Sequence, residues 1–177
     1  MIKVYSKTPF NKPISYTIFS NPIGLTALVA TSKGLFHIIN NFKNENSIEN
    51  YLLSLTEAKI VKKNSDFKDL IKQFSLYFNG TLKVFDYPLD LSLGTPFQQK
   101  VWKKLLTIPY GNTRSYKWLA SKLKKPKAYR AVGNANGKNP LPIIIPCHRV
   151  IRNNGDLGGY TGGINTKRFL ISLERNI

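Results

Sequence analysis

Short apolar segments separated by turn residues dominate the first half of the chain. Residues 14–20, 25–30 and 35–39 are rich in β-branched and aromatic side chains, which predicts three strands, the last two joined by a turn at residues 31–34. Tight turns connect antiparallel neighbours, so we expect a small antiparallel sheet. Two helices are expected after it, the second with Gly80 as its C-terminal stop and with an apolar stripe formed by Phe67, Leu70, Ile71, Phe74 and Phe78.

The second half opens with a helix start that several independent signals mark. Thr95 can cap the helix, Pro96 suits its first position, and Gln98 can complete a capping box. The helix ends at residues 108–112 and places its lysines outward. Its buried stripe is predicted to be Phe97, Val101, Trp102 and Leu105.

Two shorter helices with helix-turn-helix spacing follow. Ser115 can cap the first, over residues 116–123, and Pro126 can open the second, which extends to residue 136 and is closed by Gly137. The positions of the second helix that should face the core are Ala128, Ala131, Val132 and Ala135. The whole pattern predicts an α+β protein, with a small N-terminal antiparallel sheet and helices followed by a mostly helical domain.

The exposed face of the second helix is narrow and bears short side chains. Arg130 stands there beside Gly133, Asn134 and Gly137. A helix that reads the major groove usually carries several long polar side chains, whereas one arginine among small residues suits the minor groove, with Arg130 entering the base stack. The spacing alone fits an ordinary helical hairpin with a surface arginine equally well.

Charge is distributed unevenly along the 177 residues, whose net charge is +18. Residues 1–90 carry 11 basic and 7 acidic side chains, whereas residues 91–177 carry 16 basic ones and only Asp156 and Glu174 as acids. Such a field attracts polyanions, so nucleic acid is the expected partner of the second half, and a solvated basic surface accounts for the first. We predict a structural α/β domain over residues 1–90 and a DNA-binding domain over residues 91–177.

Cys147 is the only cysteine of the chain, and His148 follows it directly. A lone cysteine is either a small buried hydrophobe or a reactive group. The apolar residues 143–145 predict a buried strand or extended segment that brings Cys147 to the edge of the core, where its pKa is raised unless a partner favours the thiolate. His148 is the candidate partner, and a structural histidine is the alternative.

The composition also bears on compartment and cofactors. The chain has neither a signal-peptide pattern at its start nor a membrane-length apolar run, and it has a single thiol, so we expect a soluble, cytoplasmic protein. One cysteine and two histidines offer no four-ligand zinc site. We therefore expect no metal and no cofactor.

Six motifs surround these residues and cover nearly all of residues 91–177: Gly94-Thr95-Pro96-Phe97-Gln98, Ile108-Pro109-Tyr110-Gly111, Arg130-Ala131-Val132-Gly133, Asn139-Pro140, Pro146-Cys147-His148-Arg149-Val150 and Gly158-Gly159-Tyr160-Thr161-Gly162-Gly163. Together they resemble the O6-alkylguanine-DNA alkyltransferase family. The resemblance implies a ribonuclease H-like N-terminal domain and a winged-helix-like helix-turn-helix domain. It also implies a monomer that binds the minor groove of double-stranded DNA, flips out the alkylated guanine and transfers the alkyl group irreversibly to Cys147.

The resemblance further assigns roles to single residues. His148 would activate the thiol through a bound water and be oriented by Glu174, which otherwise reads as a solvated carboxylate at a helix end. Tyr116 would donate to guanine N3, which is sensible because a guanine anion is a costly leaving group. The residues implied around the substrate are Val150, Tyr160, Thr161, Gly162 and Asn139, the last holding the turn before the cysteine segment.

DNA contacts are implied for the helix-turn-helix, with Arg130 filling the gap that the extruded base leaves. The other implied contacts are Ser115, Tyr116, Lys117, Lys127, Ala131, Gly133 and Asn134. Two residues depart from the family pattern: Lys124 stands where a glycine is common in the turn, and Tyr129 stands where a small residue is common. These departures concern the turn geometry and the DNA contacts rather than the chemistry.

Two functions of other classes compete with alkyl transfer. Non-catalytic sensors of alkylated guanine resemble this chain in the same motifs but have another residue in place of the cysteine. A helix-turn-helix regulator should carry base-reading side chains on its second helix and a dimerisation segment, and neither is evident. The presence of Cys147 favours the enzyme, while the preferred alkyl group and the acceptance of O4-alkylthymine are left open by the sequence.

Overall fold

The computed structural model describes residues 14–55 and 58–176. The described residues form two compact units. The first is made of residues 14–55, 58–75 and 86–93, and the second of residues 76–85 and 94–176. No helix of the described residues is long and apolar enough to cross a membrane.

A four-stranded sheet forms the centre of the first unit. Its strands are β1 (Ile14–Asn21), β2 (Gly24–Thr31), β3 (Gly34–Phe42) and β4 (Ile60–Lys62), in the order β3-β2-β1-β4. The three predicted strands are confirmed, and they pair antiparallel. The prediction of a purely antiparallel sheet was wrong, because β4 pairs parallel with β1 after a crossover through helix α1 (Glu45–Leu55), a connection that leaves no hairpin signal.

Apolar side chains pack on both sides of this sheet. The cluster that includes α1 is formed by Ile14, Tyr16, Ala27, Val29, Ile39, Ile48 and Leu52. On β1, Phe19 meets the ring of Phe74, from helix α2 (Lys68–Phe78), at 5.4 Å between centroids. Phe67, Leu70 and Phe74 are fully buried, as the predicted stripe requires.

The end of α2 is fixed by a glycine. Gly80 has a φ of +76°, its amide donates to the Tyr77 carbonyl at 2.9 Å, and the Thr81 amide donates to the Leu76 carbonyl at 3.0 Å. These two bonds are the Schellman arrangement, so the predicted stop is confirmed. Tyr77 is buried in this last turn, a place that the predicted stripe gave to Phe78, which is only half-buried.

The second unit begins with helix α3 (Pro96–Leu105), and its predicted capping box is confirmed. The Gln98 amide donates to Thr95 Oγ1 at 3.3 Å, and the Thr95 amide donates to Gln98 Oε1 at 2.8 Å. Three members of the predicted stripe, Val101, Trp102 and Leu105, are buried.

Helices α4 (Tyr116–Lys122) and α5 (Tyr129–Gly137) form the helix-turn-helix. The Ser115 hydroxyl caps α4 by accepting from the Trp118 amide at 3.1 Å, as predicted. Between the helices Lys124 has a φ of +57°, the left-handed conformation that glycine adopts at least cost.

The second helix differs from its prediction at both ends. A separate 3-10 turn over Pro126–Ala128 precedes α5, and Gly137 is the last helical residue rather than the stop. Because of this 3-10 turn, the α-helix begins at Tyr129, and its buried face differs from the predicted one. Ala131 is therefore exposed and Ala128 half-buried, contrary to the prediction, while Val132, Ala135 and Asn136 are buried.

The segment between α5 and the cysteine is a tight turn rather than the predicted strand or extended chain. Pro142 and Ile145 form a bridge, and Ile143 has a φ of +77°, which is strained for a β-branched residue. The prediction that residues 143–145 are buried is confirmed. Beyond it lie β6 (Val150–Ile151), paired parallel with β5 (Arg114–Ser115), and helix α6 (Ile164–Arg175).

Candidate active site

Cys147 opens a 3-10 turn, Cys147–Arg149, directly after the tight turn. The Asn139 side chain donates to the Ile145 carbonyl at 2.8 Å and accepts from the Leu141 amide at 3.0 Å, which fixes the chain before the cysteine. The Asn136 side chain donates to the Cys147 carbonyl at 3.3 Å. Burial raises the pKa of the Cys147 thiol, while the Asn139 amide, the Lys167 charge and local backbone amides act in the opposite direction.

His148, the next residue, is completely buried. Its Nε2 lies 2.8 Å from Glu174 Oε1, and its Nδ1 has no hydrogen-bond partner among the described residues. Burial lowers the pKa of His148, against the influence of Glu174, so the ring is neutral at neutral pH. A carboxylate can only accept, so Nε2 carries the proton and Nδ1 presents a free lone pair.

Glu174, in the last turn of α6, accepts hydrogen bonds on both carboxylate oxygens. Arg149 Nε donates to Oε2 and Arg149 Nη2 to Oε1, each at 2.8 Å. Tyr77 donates to Oε1 at 2.8 Å, and the Gly111 amide donates to Oε2 at 3.2 Å. Burial alone would raise the pKa of Glu174, but the bonds from His148 and Arg149 prevail and lower it to about 2. The carboxylate is therefore charged at every physiological pH.

Tyr116 lies at the start of α4, close to the cysteine. An added Cβ at Gly133 would lie 3.7 Å from its ring, and one at Gly158 would lie 3.4 Å from its hydroxyl oxygen. Burial raises the pKa of Tyr116, and the negative charge of a Cys147 thiolate adds to this. The phenol therefore stays protonated and can donate a proton.

Lys167 is a buried cation that the sequence did not single out. Its Nζ donates to the carbonyl of Val150 at 2.6 Å and also to the carbonyls of Leu157 and Gly159. Burial lowers the pKa of Lys167 to about 8, although the charge of Cys147 acts in the opposite direction. Lys167 therefore ties β6 to the start of the glycine-rich loop, residues 157–163.

The glycine-rich loop is held by a hydrogen bond to α5 and by close packing within the loop. Thr161 Oγ1 donates to the Gly137 carbonyl at 2.8 Å, which joins the loop to the end of α5. An added Cβ at Gly162 would come within 2.9 Å of the Tyr160 ring, so only glycine fits there without a shift. The Tyr160 hydroxyl is buried without a partner among the described residues.

Apart from Ser115, Gly133 and the residues of the glycine-rich loop, the predicted site residues fall into two groups. Cys147, His148, Glu174, Tyr116, Val150 and Asn139 lie within one network of contacts and electrostatic interactions. The Arg130 end of the helix-turn-helix is exposed, with Lys117, Lys127, Ala131 and Asn134. Ser115 uses its hydroxyl as a cap, and Gly133 is half-buried against Tyr116.

Two side chains that donate hydrogen bonds to Glu174, Arg149 and Tyr77, were not found from the sequence. Arg149 could have been, because a buried arginine needs an acid and residues 91–177 offer only two. For Tyr77, the sequence indicated only a position next to the predicted apolar stripe of the helix that ends at Gly80. Among the described residues, no three His, Cys, Asp or Glu side chains come together as a metal site.

Comparisons with known proteins identify the family of the chain. Residues 96–176 match the model of the 6-O-methylguanine DNA methyltransferase DNA-binding domain. A methylated-DNA–protein-cysteine methyltransferase of Methanosarcina barkeri is 45% identical over 161 residues, which cover 91% of this chain and 97% of that protein. The chain belongs to the methylated-DNA–protein-cysteine methyltransferase family.

This methyltransferase family member is also similar to a mycobacterial protein, both in sequence and in structure. The Mycobacterium tuberculosis relative is 57% identical over 110 residues, which cover 62% of this chain and 66% of that protein. A crystal structure of Mycobacterium tuberculosis OGT in complex with DNA superposes with a TM-score of 0.79 at 42% identity, covering 92% of this chain and 93% of that one. The fold of the chain and its residues 96–176 are thus those of the methyltransferase family.

Proposed function

We propose that this protein repairs DNA by moving the alkyl group of O6-alkylguanine onto Cys147. The observation that carries the proposal is the buried His148 that directly follows Cys147, with Nε2 held by Glu174 and with Nδ1 unpaired among the described residues. In the reaction the Sγ–C bond forms, the C–O6 bond breaks, and the electron pair of that bond leaves with the guanine.

Proton movement on the thiol side follows from the same geometry. Nδ1 takes the thiol proton through one water molecule, and the imidazolium that results is stabilised by the Glu174 carboxylate. A thiolate is the competent nucleophile, and burial alone opposes its formation. The relay therefore supplies the charge stabilisation that the thiol lacks at rest.

Proton movement on the guanine side is the task of Tyr116. Its phenol, protonated and close to Cys147, donates to guanine N3 as the C–O6 bond breaks. The half-buried Gly133 gives this ring room. We infer that Val150 and the glycine-rich loop bound the pocket for the base.

Delivery of the base requires that it leave the duplex. Arg130 is exposed on α5 among short side chains, which supports approach through the minor groove and insertion of the arginine into the stack. Extruding a base costs a few kcal/mol, and a side chain that fills the gap offsets part of this cost.

The intact mass of the protein after incubation with duplex DNA that bears O6-methylguanine tests the proposal. We expect a gain of one methylene at Cys147, and no repair beyond one equivalent when the duplex is in excess, because an S-alkyl cysteine is a thioether and the chain has no second thiol to remove the group. Repair far beyond one equivalent would contradict the single turnover, and an unchanged mass would contradict the transfer itself.

The finer architecture belongs to the same proposal. We infer a ribonuclease H-like first domain and a winged-helix-like second domain, the latter supported by the short β5–β6 pair beside α4. The protein acts as a monomer in the cytoplasm. A sensor or regulator is disfavoured by the presence of Cys147 and by the short side chains on the exposed face of α5.

A further inference from the structure

Among the described residues, Tyr77 is the one hydrogen-bond partner of Glu174 that lies outside residues 91–177. Its hydroxyl donates to Glu174 Oε1 at 2.8 Å, and the residue is 1% exposed. The bond joins residues 97 positions apart in the sequence. The proposed mechanism does not use this hydroxyl.

The backbone and the neighbouring rings hold Tyr77 in place. The Gly80 amide bonds the Tyr77 carbonyl, which fixes the last turn of α2. The Tyr77 ring meets those of Phe78, Phe85 and Tyr110 at centroid distances of 5.4, 5.4 and 6.0 Å. A hydroxyl on a ring held in this way has little freedom to leave the carboxylate.

Tyr77 and His148 share one oxygen atom. Both lie 2.8 Å from Glu174 Oε1, and Arg149 Nη2 donates to the same atom. Each donor draws negative charge from Oε1, so each one weakens the attraction of that oxygen for a positive imidazolium. Burial and the charge of Glu174 raise the pKa of Tyr77 far above its usual range, so the hydroxyl donates at every accessible pH.

We propose that Tyr77 is a positioning residue for alkyl transfer, whose hydroxyl fixes Glu174 Oε1 and limits the negative charge that this oxygen offers to His148. The imidazole then rests neutral, with Nδ1 ready to accept the thiol proton. This rests on the proposed function of the relay. The other charged groups that act on His148 are Arg149 and Lys167, and both are retained when Tyr77 is changed.

The test compares Tyr77→Phe with Tyr110→Phe. Both changes remove one buried hydroxyl from adjacent rings, but the Tyr110 hydroxyl has no hydrogen-bond partner among the described residues. Single-turnover transfer from free O6-benzylguanine, which needs no DNA binding, is measured across pH. In Tyr77→Phe the acid limb should move to higher pH by about one unit, so transfer on that limb slows by up to about tenfold while rates on the plateau above it converge. Tyr110→Phe should follow the parent protein.

A second measurement keeps the test independent of turnover. The chain has two histidines, so 15N-histidine labelling gives two imidazole signals, and His37 serves as the internal reference. The His148 midpoint should rise in Tyr77→Phe and stay in place in Tyr110→Phe. Equal midpoints in all three folded proteins would overturn the role of Tyr77 even if transfer occurs, whereas a shifted midpoint in a protein without transfer would overturn only the proposed function.

Discussion

Arg149 binds Glu174 through both of its carboxylate oxygens, with Nε and Nη2 each donating at 2.8 Å, and neither side chain has more than 8% of its surface exposed. The third guanidinium nitrogen, Nη1, donates to the Ile108 carbonyl at 2.6 Å. The pair is therefore fully desolvated and well bonded. Removing one partner of such a pair leaves the other as an uncompensated buried charge.

Glu174→Gln should accordingly lower the free energy of unfolding by about 3–5 kcal/mol, measured by urea denaturation at neutral pH. Asp156→Asn is the control, because that acid lies in the same half of the chain and its contact with Arg152 is exposed; its effect should stay within about 0.5 kcal/mol. Equal effects of the two variants would show that the buried pair does not stabilise the fold.

The same pair predicts a pH dependence. The pKa of Glu174 is about 2 in the folded protein, and an unfolded glutamate has a pKa of about 4.3, so the unfolded state binds the proton first as pH falls. The stabilisation is complete above about pH 5 and is lost as pH falls toward about 2. Between about pH 5 and about pH 2, the free energy of unfolding should change less with pH in Glu174→Gln than in the parent protein. Urea denaturation at a series of pH values measures this.

Cys147→Ser should abolish alkyl transfer and leave the affinity for alkylated duplex DNA within a few-fold of the parent value. The expected DNA contacts lie on the exposed face of α5 and on Tyr116, which the substitution does not touch. Intact mass measures the transfer, and fluorescence anisotropy measures the binding. Loss of binding by the folded variant would mean that the thiol also shapes the DNA surface.

Arg130→Ala should slow repair in duplex DNA more than in a single strand or on free O6-benzylguanine, because a filled gap matters only where a base stack must be held open. Arg168→Ala is the control for charge, since it removes an exposed arginine of α6. Equal slowing of Arg130→Ala on all three substrates would assign Arg130 to the chemistry or to the fold.

Lys124→Gly should raise the free energy of unfolding by about 0.5–1 kcal/mol, because Lys124 is exposed and has a φ of +57°, where a side chain is strained and glycine is not. Lys125→Gly removes the same charge at the next position, where φ is −135°, and should bring no gain. Urea denaturation of the two variants gives the comparison. A gain in neither would mean that the turn carries no strain.

Local features of the sequence were sufficient for the starts of α3 and α4 and for the end of α2. The capping residues Thr95 and Ser115 act on amides three positions away, and Gly80 closes its own helix, so short stretches of sequence determine these elements. The excess of basic residues and the adjacent Cys147 and His148 are likewise visible without a fold. The turn residue Lys124 was recognised as a departure, and its left-handed backbone explains why glycine is common there.

Only the tertiary structure determined the contacts between residues distant in sequence. Strand β4 has three residues and joins β1 by a crossover, Ile143 turns where its neighbours predict a strand, and α5 rotates Ala131 outward. Tyr77 and Arg149 reach Glu174 across 97 and 25 positions, and Lys167 reaches the Val150 carbonyl across 17. Periodicity and capping report on neighbours within about one helical turn, whereas a buried charge takes whichever donors the folded chain brings to it, and no local pattern records which these are.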